Sequence, residues 1–435
     1  MADLESSTLR PEAGSFAGTR QRSRPRVQTQ LLLYQPRQQY ELHHEADIPA
    51  LEFGELMVEV LAIGLNPIDW KSAAYGFALP SLPCLNGREF VGRIVEKNVD
   101  PECGYKIGDL VLAVSTDYRD FRKSAFQQYA VVCCFNAIKV PQKVNPERVA
   151  SLGVGFVAAS IALGVCLGID FPSFSHYPPL SLLSVAQGQP REEVPSDVAA
   201  EVFEGIPPSE RPKARDWVLI YGASSVTAQL CIQLVKMAGL RVIAVADAKK
   251  HGDRLRALDA DVIVDRADLD AAAREVASHA QGGLRFALDM VGKETAAWCQ
   301  GVLDTCSRPP SPEPQAQQPR DDEPASQSSN QQSNGESRSA NGVPVSHLVC
   351  MTGEPKTKLP HVRTHKVPIK LFHVNRRLGS RLSKWLYRLL DADALKIPET
   401  RVVDGGLSVV NSCLDLLKNG EVSGSRVVVR MNNVA

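Results

Sequence analysis

Apolar residues are spaced in two ways along this chain, and the spacing changes near Asn145. Before it, residues 30–34, 55–63, 90–96, 110–114 and 128–132 form short runs rich in β-branched or aliphatic side chains. Gly54, Gly64, Pro67, Gly87, Gly108 and Asp109 separate them. Short apolar runs closed by turn residues predict strands, and several in succession predict a β-rich first domain. After it the period lengthens. Residues 149–168 read as a buried helix of small and apolar side chains, and 172–213, rich in prolines and acids, as an irregular surface insert with a short helix near 192–203.

The clearest unit follows. Val218, Leu219, Ile220 and Tyr221 form a buried strand, Gly222 to Ser225 a tight turn, and 226–238 a helix with Leu230, Leu234 and Met237 on one side. Gly239 stops the helix, and 241–246 is a second strand ending at Asp247. Strand, turn, helix and strand within about thirty residues make a βαβ unit with a right-handed crossover. Helices at 254–258 and 269–279 and strands at 262–264 and 284–289 extend it into an α/β sheet. Residues 307–343 carry no Leu, Ile, Met or aromatic side chain, so they are expected to be disordered, as is a Ser/Arg-rich leader, 1–26. A strand at 347–351, helices at 383–390 and 407–417 and a last strand at 426–430 complete the reading.

Composition narrows the function. The chain has 435 residues, with 49 Lys+Arg against 49 Asp+Glu. Balanced charge gives no electrostatic reason to expect nucleic acid. No apolar run reaches the roughly 20 residues of a membrane helix. Ten cysteines without a CxxC read as reduced, buried thiols. The leader lacks a secretory apolar core, and Asp3, Glu5 and Glu12 oppose a transit peptide, so a cytoplasmic protein is expected.

Three strings carry chemistry. Gly222, Ser224, Ser225, Val226 and Thr227 lie where a strand feeds a helix N-terminus, whose free N–H groups and positive dipole end suit a pyrophosphate. Asp247 stands where an acid accepts the ribose hydroxyls of NAD. Lys249 and Lys250, after Ala248, suit the 2′-phosphate of NADP instead. Asn66, Pro67, Ile68 and Asp69 open a short helix, and Lys71 after them can polarise a carbonyl or deliver a proton. Cys84, Cys103, His43 and His44 lack the spacing of zinc ligands, so no metal is expected.

Taken in order, 65–71 (Leu-Asn-Pro-Ile-Asp-Trp-Lys), 87–92 (Gly-Arg-Glu-Phe-Val-Gly), 106–111 (Lys-Ile-Gly-Asp-Leu-Val), 221–227 and the closing 420–424 (Gly-Glu-Val-Ser-Gly) resemble the medium-chain dehydrogenase/reductase superfamily. Within it they are most similar to fungal trans-acting enoyl reductases and quinone-oxidoreductase-like proteins. The resemblance implies an α/β protein: a GroES-like β-rich domain at 27–150, then a Rossmann domain, a doubly wound parallel sheet, at 151–345. Residues 346–435 would end that sheet and return to the first domain. Arg88 stands where zinc-dependent relatives carry a histidine, which implies a zinc-independent enzyme.

The resemblance also implies nucleotide contacts from Asn66 to Asp69, from Ser224 to Thr227, from Asp247 to Lys250, at Met351 and Thr352, and at Val422 and Ser423. A substrate wall is implied at Leu152, Gly153, Val154, Gly155, Phe156, Val157, Ala158 and Ala159, and at Ile369, Lys370, Leu371, Phe372 and His373. The expected activity is NAD(P)H-dependent reduction of an activated C=C bond in an enoyl thioester or enone, with NADP(H) favoured over NAD(H). The substrate would be small or carrier-bound, with a polyketide synthase as an allowed partner, no membrane association, and a monomer or homodimer. A quinone oxidoreductase and a non-catalytic nucleotide-binding scaffold are the alternatives.

Overall fold

The computed structural model describes residues 26–173, 178–307 and 344–432. The disorder expected for the leader and for 308–343 falls outside the described residues.

The first domain is built as its short apolar runs predict. β1 (Val27–Leu33), β2 (Glu41–Asp47) and β4 (Cys84–Leu85) form a small antiparallel sheet. The larger sheet holds β3 (Glu55–Gly64), β5 (Glu89–Asn98), β6 (Leu110–Val114), β7 (Tyr129–Cys133) and β8 (Ile138–Lys139). Two strands from the end of the chain, β15 (Glu399–Asp404) and β16 (Ser425–Arg430), complete it, with β16 antiparallel to β3. β2 escaped the sequence reading because six of its seven side chains are exposed, five of them Glu, Asp or His, leaving Ala46 alone buried. Between β3 and β4 runs α1 (Pro67–Tyr75), and near the chain's end α12 (Val410–Lys418) packs in the same core.

The second domain is a six-stranded, all-parallel sheet. Its strands are β9 (Trp217–Tyr221), β10 (Arg241–Ala246), β11 (Val262–Asp265), β12 (Leu284–Asp289), β13 (Ser346–Cys350) and β14 (Val362–Lys366), in the order β11-β10-β9-β12-β13-β14. The order reverses between β9 and β12, the switch point of a doubly wound sheet. Alternate residues feed two cores, as the two-residue period of a strand requires. Val218, Ile220, Val242 and Ala244 meet α6 (Val226–Met237) and α7 (Ala248–Ala257). Leu219, Ile243 and Val245 meet α8 (Leu269–Ala280) and α9 (Lys293–Ser307). Ser307 closes α9, and its hydroxyl lies 2.8 Å from that of Ser346, which opens β13.

Two expectations are corrected. The 172–213 insert is not an irregular surface excursion. It folds into α4 (Leu182–Gln187) and α5 (Ser196–Glu204), whose Leu182, Leu183, Ala186, Val198, Ala199 and Val202 enter the main core. The short helix expected near 192–203 is α5, while flanking prolines masked α4; in both, apolar residues recur at three- and four-residue intervals. The helix read at 149–168 is divided: α2 (Pro146–Val149) is separate, α3 (Gly153–Ile161) follows, and 162–166 form a π turn. After β14, α10 (Leu371–Val374) leads into α11 (Arg376–Asp391).

A buried polar chain fastens the insert to the sheet edge. His347 of β13 and His365 of β14 lie 2.9 Å apart, Nδ1 to Nε2. His365 Nδ1 is 2.6 Å from Glu201 of α5, and His347 Nε2 is 3.1 Å from Glu210. Phe286 stacks on the His347 ring.

Candidate active site

The turn after β9 is made by backbone geometry. Gly222 has φ +74°, and a Cβ there would fall 2.7 Å from Val291 Cγ2, so glycine alone fits. The N–H groups of Gly222 and Ala223 donate to the Val245 carbonyl at 3.0 and 3.1 Å, pinning the turn to β10. Ser225 caps α6 by accepting the Ala228 N–H at 3.2 Å. Ser224 uses its carbonyl to accept from Gln229 Nε2, which also donates to Gly424, both at 2.8 Å. The first-turn N–H groups at Val226 and Thr227 have no intrahelical acceptor and share the positive end of a 12-residue helix.

At the end of β10, Asp247 is committed to its own helix: its Oδ1 accepts the Lys250 N–H at 2.9 Å and caps α7. Ala248 N–H donates to Asp265 at 3.0 Å. Lys249, Lys250 and Arg266 remain exposed around the strand end. His251 is buried and 2.9 Å from Ser423 Oγ, and its pKa is lowered by burial and by Lys250 and Arg254. Ser423 is therefore held at the domain seam, with Val422 packed on the first-domain core. At the switch point, Asp289 Oδ2 accepts from Val291 and Gly292 at 3.2 and 2.9 Å, and burial raises its pKa. Met351 N–H donates to the Asp289 carbonyl at 3.0 Å, which sets Met351 and exposed Thr352 at the end of β13, across β12 from the Gly222 turn.

Across from this turn lies a buried polar cluster. Asn66 N-caps α1, and its N–H donates to Asp69 Oδ2 at 2.7 Å. Its side-chain amide donates to Glu89 Oε1 at 2.9 Å, and Glu89 Oε2 accepts the Val154 N–H at 2.7 Å. Glu89, wholly buried, thus joins α1 to the positive start of α3. Arg426 of β16 donates to Asn66 Oδ1 and to the Leu65 carbonyl. Beside it, Tyr40 OH donates to the Asp69 carbonyl at 2.7 Å, and Arg88 Nη2 donates to Asn86 at 2.7 Å. The Arg88 guanidinium lies 3.7 Å from the Tyr118 ring centroid. Burial pushes the Asp69 carboxyl up to about 7 against the pull of Arg88, and burial likewise raises Glu89. Asp69 Oδ1, Arg88 Nε and Arg426 Nε have no partner among the described residues.

The expected residues divide. Pro67 is exposed, and Ile68 and Lys71 are half-buried; no hydrogen bond among the described residues ties Lys71 to the Arg88 cluster, and its Nζ sits 5.8 Å from the Trp70 ring centroid. Of the expected substrate wall, Leu152, Phe156, Val157, Ala159, Leu371 and Phe372 are fully buried core packing. Gly153 and Gly155 are buried against Glu89 and α6, and Ala158 is nearly so. Val154, Ile369, Lys370 and His373 keep surface; Lys370 pairs with Asp197, and His373 Nδ1 is 2.8 Å from Thr116 Oγ1. Sequence reasoning missed Glu89, Arg426, Tyr40 and Tyr118. A buried acid and base flanking glycines in 87–92 was the available signal. Among the described residues no group of three or more His, Cys, Asp or Glu is arranged to hold a metal.

Comparison with known proteins supplies context. Residues 52–159 match the family described as alcohol dehydrogenase GroES-like domain. The chain is 27% identical over 405 residues to the trans-enoyl reductase caaB of Aspergillus niger, covering 90% of this chain and 93% of that protein. In structure it is similar to the CurK enoyl reductase, with a TM-score of 0.63 at 16% identity over 93% of this chain and 99% of that one. It is similar as well to a mycobacterial protein complexed with NADPH, with a TM-score of 0.60 at 16% identity over 93% of this chain and 100% of that one.

Proposed function

The chain belongs to the medium-chain dehydrogenase/reductase superfamily of oxidoreductases, and from that premise we propose that it reduces the activated C=C bond of an enoyl thioester or enone, with NADPH as the reductant. The observation that carries the proposal is the pairing of a phosphate-type turn at Gly222 with a buried Asp69–Arg88 cluster in the opposite domain. The names of the relatives, trans-enoyl reductases among them, support the substrate class.

The residues present fit a dinucleotide. The Gly222 turn has no room for a Cβ, and the α6 N-terminus offers N–H donors to a pyrophosphate. Lys249, Lys250 and Arg266 surround the β10 end, where a 2′-phosphate would lie, and Asp247 is drawn onto its helix cap instead. Asn66 to Asp69, Met351 and Thr352 would border the nicotinamide half, and Val422 and Ser423, the latter 2.9 Å from His251 of α7, would border the half at the β10 end. A bound reduced nicotinamide supplies a hydride to the β-carbon.

The chain's own groups would do the rest. Arg88 places a buried positive charge at the cluster, which favours the developing enolate oxygen. Asp69, pushed up to about 7, exchanges its proton around neutral pH, and its Oδ1, without a partner among the described residues, is the oxygen open to carry it. Lys71 is the more exposed candidate for proton delivery. The Glu89 bridge keeps α1 and α3 in fixed register, so positioning costs no reorganisation during reaction.

Parallel fluorescence titrations with NADPH and NADH test this, followed in the same cuvette by crotonyl pantetheine. The expected result is NADPH binding at least about tenfold tighter, a difference of about 1.4 kcal/mol, and loss of reduced cofactor on adding the thioester. Binding without oxidation of cofactor by thioester or quinone would leave a scaffold, and no binding at all would remove the reading.

A further inference from the structure

Gln229 sits near the start of α6, where it is 2% exposed. Every other buried side chain of that helix is apolar or a thiol. An amide in such company is unfavourable unless its hydrogens find acceptors. Both do. One Nε2 hydrogen goes to the Ser224 carbonyl and the other to the Gly424 carbonyl, each at 2.8 Å.

The two acceptors do different things. Ser224 belongs to the turn after β9. The peptide joining it to Ser225 is held at both ends, because the Ser225 N–H donates to the Gly222 carbonyl at 3.0 Å while Gln229 holds the oxygen. That oxygen faces a residue five positions further on, so it points down α6 as the helix's own carbonyls do. The N–H groups of Val226 and Thr227 point the other way. A carbonyl rotated among them would set the negative end of a peptide dipole against an anion. Gly424 belongs to the stretch that leads into β16, 195 residues from Gln229. Its carbonyl also accepts from Arg254 of α7, and His251 of the same helix lies 2.9 Å from Ser423 Oγ. Two residues later, Arg426 reaches Asn66 Oδ1 at the start of α1. One buried amide therefore joins the turn to the strand that carries Arg426 into the polar cluster.

We propose that Gln229 is a positioning residue for the dinucleotide's pyrophosphate: it holds the Ser224 carbonyl off the anion site and locks the turn to residues 422–426. This rests on the dinucleotide reading above. The pyrophosphate is common to NADPH and NADH, so Gln229 acts on both alike. That separates it from Lys249, Lys250 and Arg266, which act where a 2′-phosphate would lie.

Gln233 supplies the control. It lies one turn further along α6 and fastens the same helix to a distant segment, donating to the Lys396 carbonyl at 3.0 Å and accepting the Lys396 N–H at 2.7 Å. It makes no hydrogen bond to the turn among the described residues. In the full-length protein, Gln229→Met and Gln233→Met each replace an amide by an unbranched side chain of similar length, and both are expected to lower the urea midpoint. Fluorescence titration of the folded proteins with NADPH and NADH reads the difference. Gln229→Met is expected to weaken both nucleotides at least about tenfold and by the same factor, while Gln233→Met stays within about twofold of native. Gln229→Asn keeps the amide but reaches one methylene less far; it is expected between native and Gln229→Met, and it carries the test if Gln229→Met does not fold. Native affinity in the Gln229 variant, an equal loss in Gln233→Met, or a loss confined to NADPH would each overturn the proposal. A native protein that binds neither nucleotide would remove the dinucleotide reading and the proposal with it. If the Gln229 variant loses affinity as expected, yet the native protein oxidises NADPH with neither thioester nor quinone, the positioning role stands and the reductase reading falls.

Discussion

Two buried polar joints hold this molecule together, and they are built on opposite terms. At the domain junction, Asn66, Asp69, Arg88, Glu89 and Arg426 meet around the starts of α1 and α3, and three of their polar atoms are left over. At the sheet edge, Glu210, His347, His365 and Glu201 form a linear chain, in which the leftover atoms of Glu210 and His347 face each other at 3.1 Å. A buried donor or acceptor without a partner costs about 1–3 kcal/mol. The junction keeps such atoms pointing at no protein partner; the edge chain directs its atoms at one another. The contrast teaches that burial and charge are common to both joints, and that what sets the junction apart is unspent hydrogen-bonding capacity with no protein group facing it.

The largest expected effect is at the junction. Glu89→Ala removes the shared acceptor of Asn66 and α3 and leaves Arg426 short of its network. A loss on the order of 3–5 kcal/mol in urea unfolding is expected, together with loss of turnover. A variant as stable as the native chain would break the comparison. His365→Phe opens the edge chain instead and should cost about 1–3 kcal/mol, yet leave NADPH affinity within a few fold. Equal damage to binding would show that the edge chain is no mere fastening.

The two joints should also answer pH in opposite directions. Asp69 rises from 3.8 to about 7, so the folded chain keeps a proton that the unfolded chain gives up. Its contribution is full below pH 3.8 and is lost as pH rises through 7. His347 is lowered from 6.5 by burial and by neighbouring His365, despite Glu210 nearby, whose oxygen is misaligned for a hydrogen bond. Its contribution is present above pH 6.5 and is lost as pH falls below it. Urea midpoints from pH 4 to 8 should show a shallower decline toward high pH in Asp69→Asn and a shallower decline toward low pH in His347→Phe. Identical slopes in all three proteins would remove the assignment. The smallest effect lies at the surface. Asp247→Ser keeps a helix cap and drops a charge beside Lys249 and Lys250, so NADPH affinity measured by titration should rise about 3–10-fold, roughly 1 kcal/mol, with NADH less affected.

How much of this was legible follows from where the partners lie. β9, its glycine turn and α6 were readable because one short window holds a buried strand, a residue that must take positive φ and a helical period. The Asn66–Asp69 cap was readable for the same reason. Glu89 and Arg426 were not, because Asn66 reaches one 23 residues away and the other 360 residues away. The edge chain spans 164 residues between His365 and Glu201. The 152–159 segment misled because small apolar residues on a helix serve a core and a cavity wall equally well, and only packing separates Phe156 from Val154. Prolines around 178–190 concealed α4 by marking its ends rather than absence of helix, whereas the short helix expected near 192–203 is α5.

Ser307 and Ser346, whose hydroxyls touch at 2.8 Å, have one more consequence. They fix the distance between the two ends of residues 308–343 before anything is said of what lies between. Closing a longer segment across a fixed gap costs only about 0.6 kcal/mol for each doubling of its length. The joint between the end of α9 and the start of β13 is therefore set by two small hydroxyl side chains, a clasp held by the sheet's own residues.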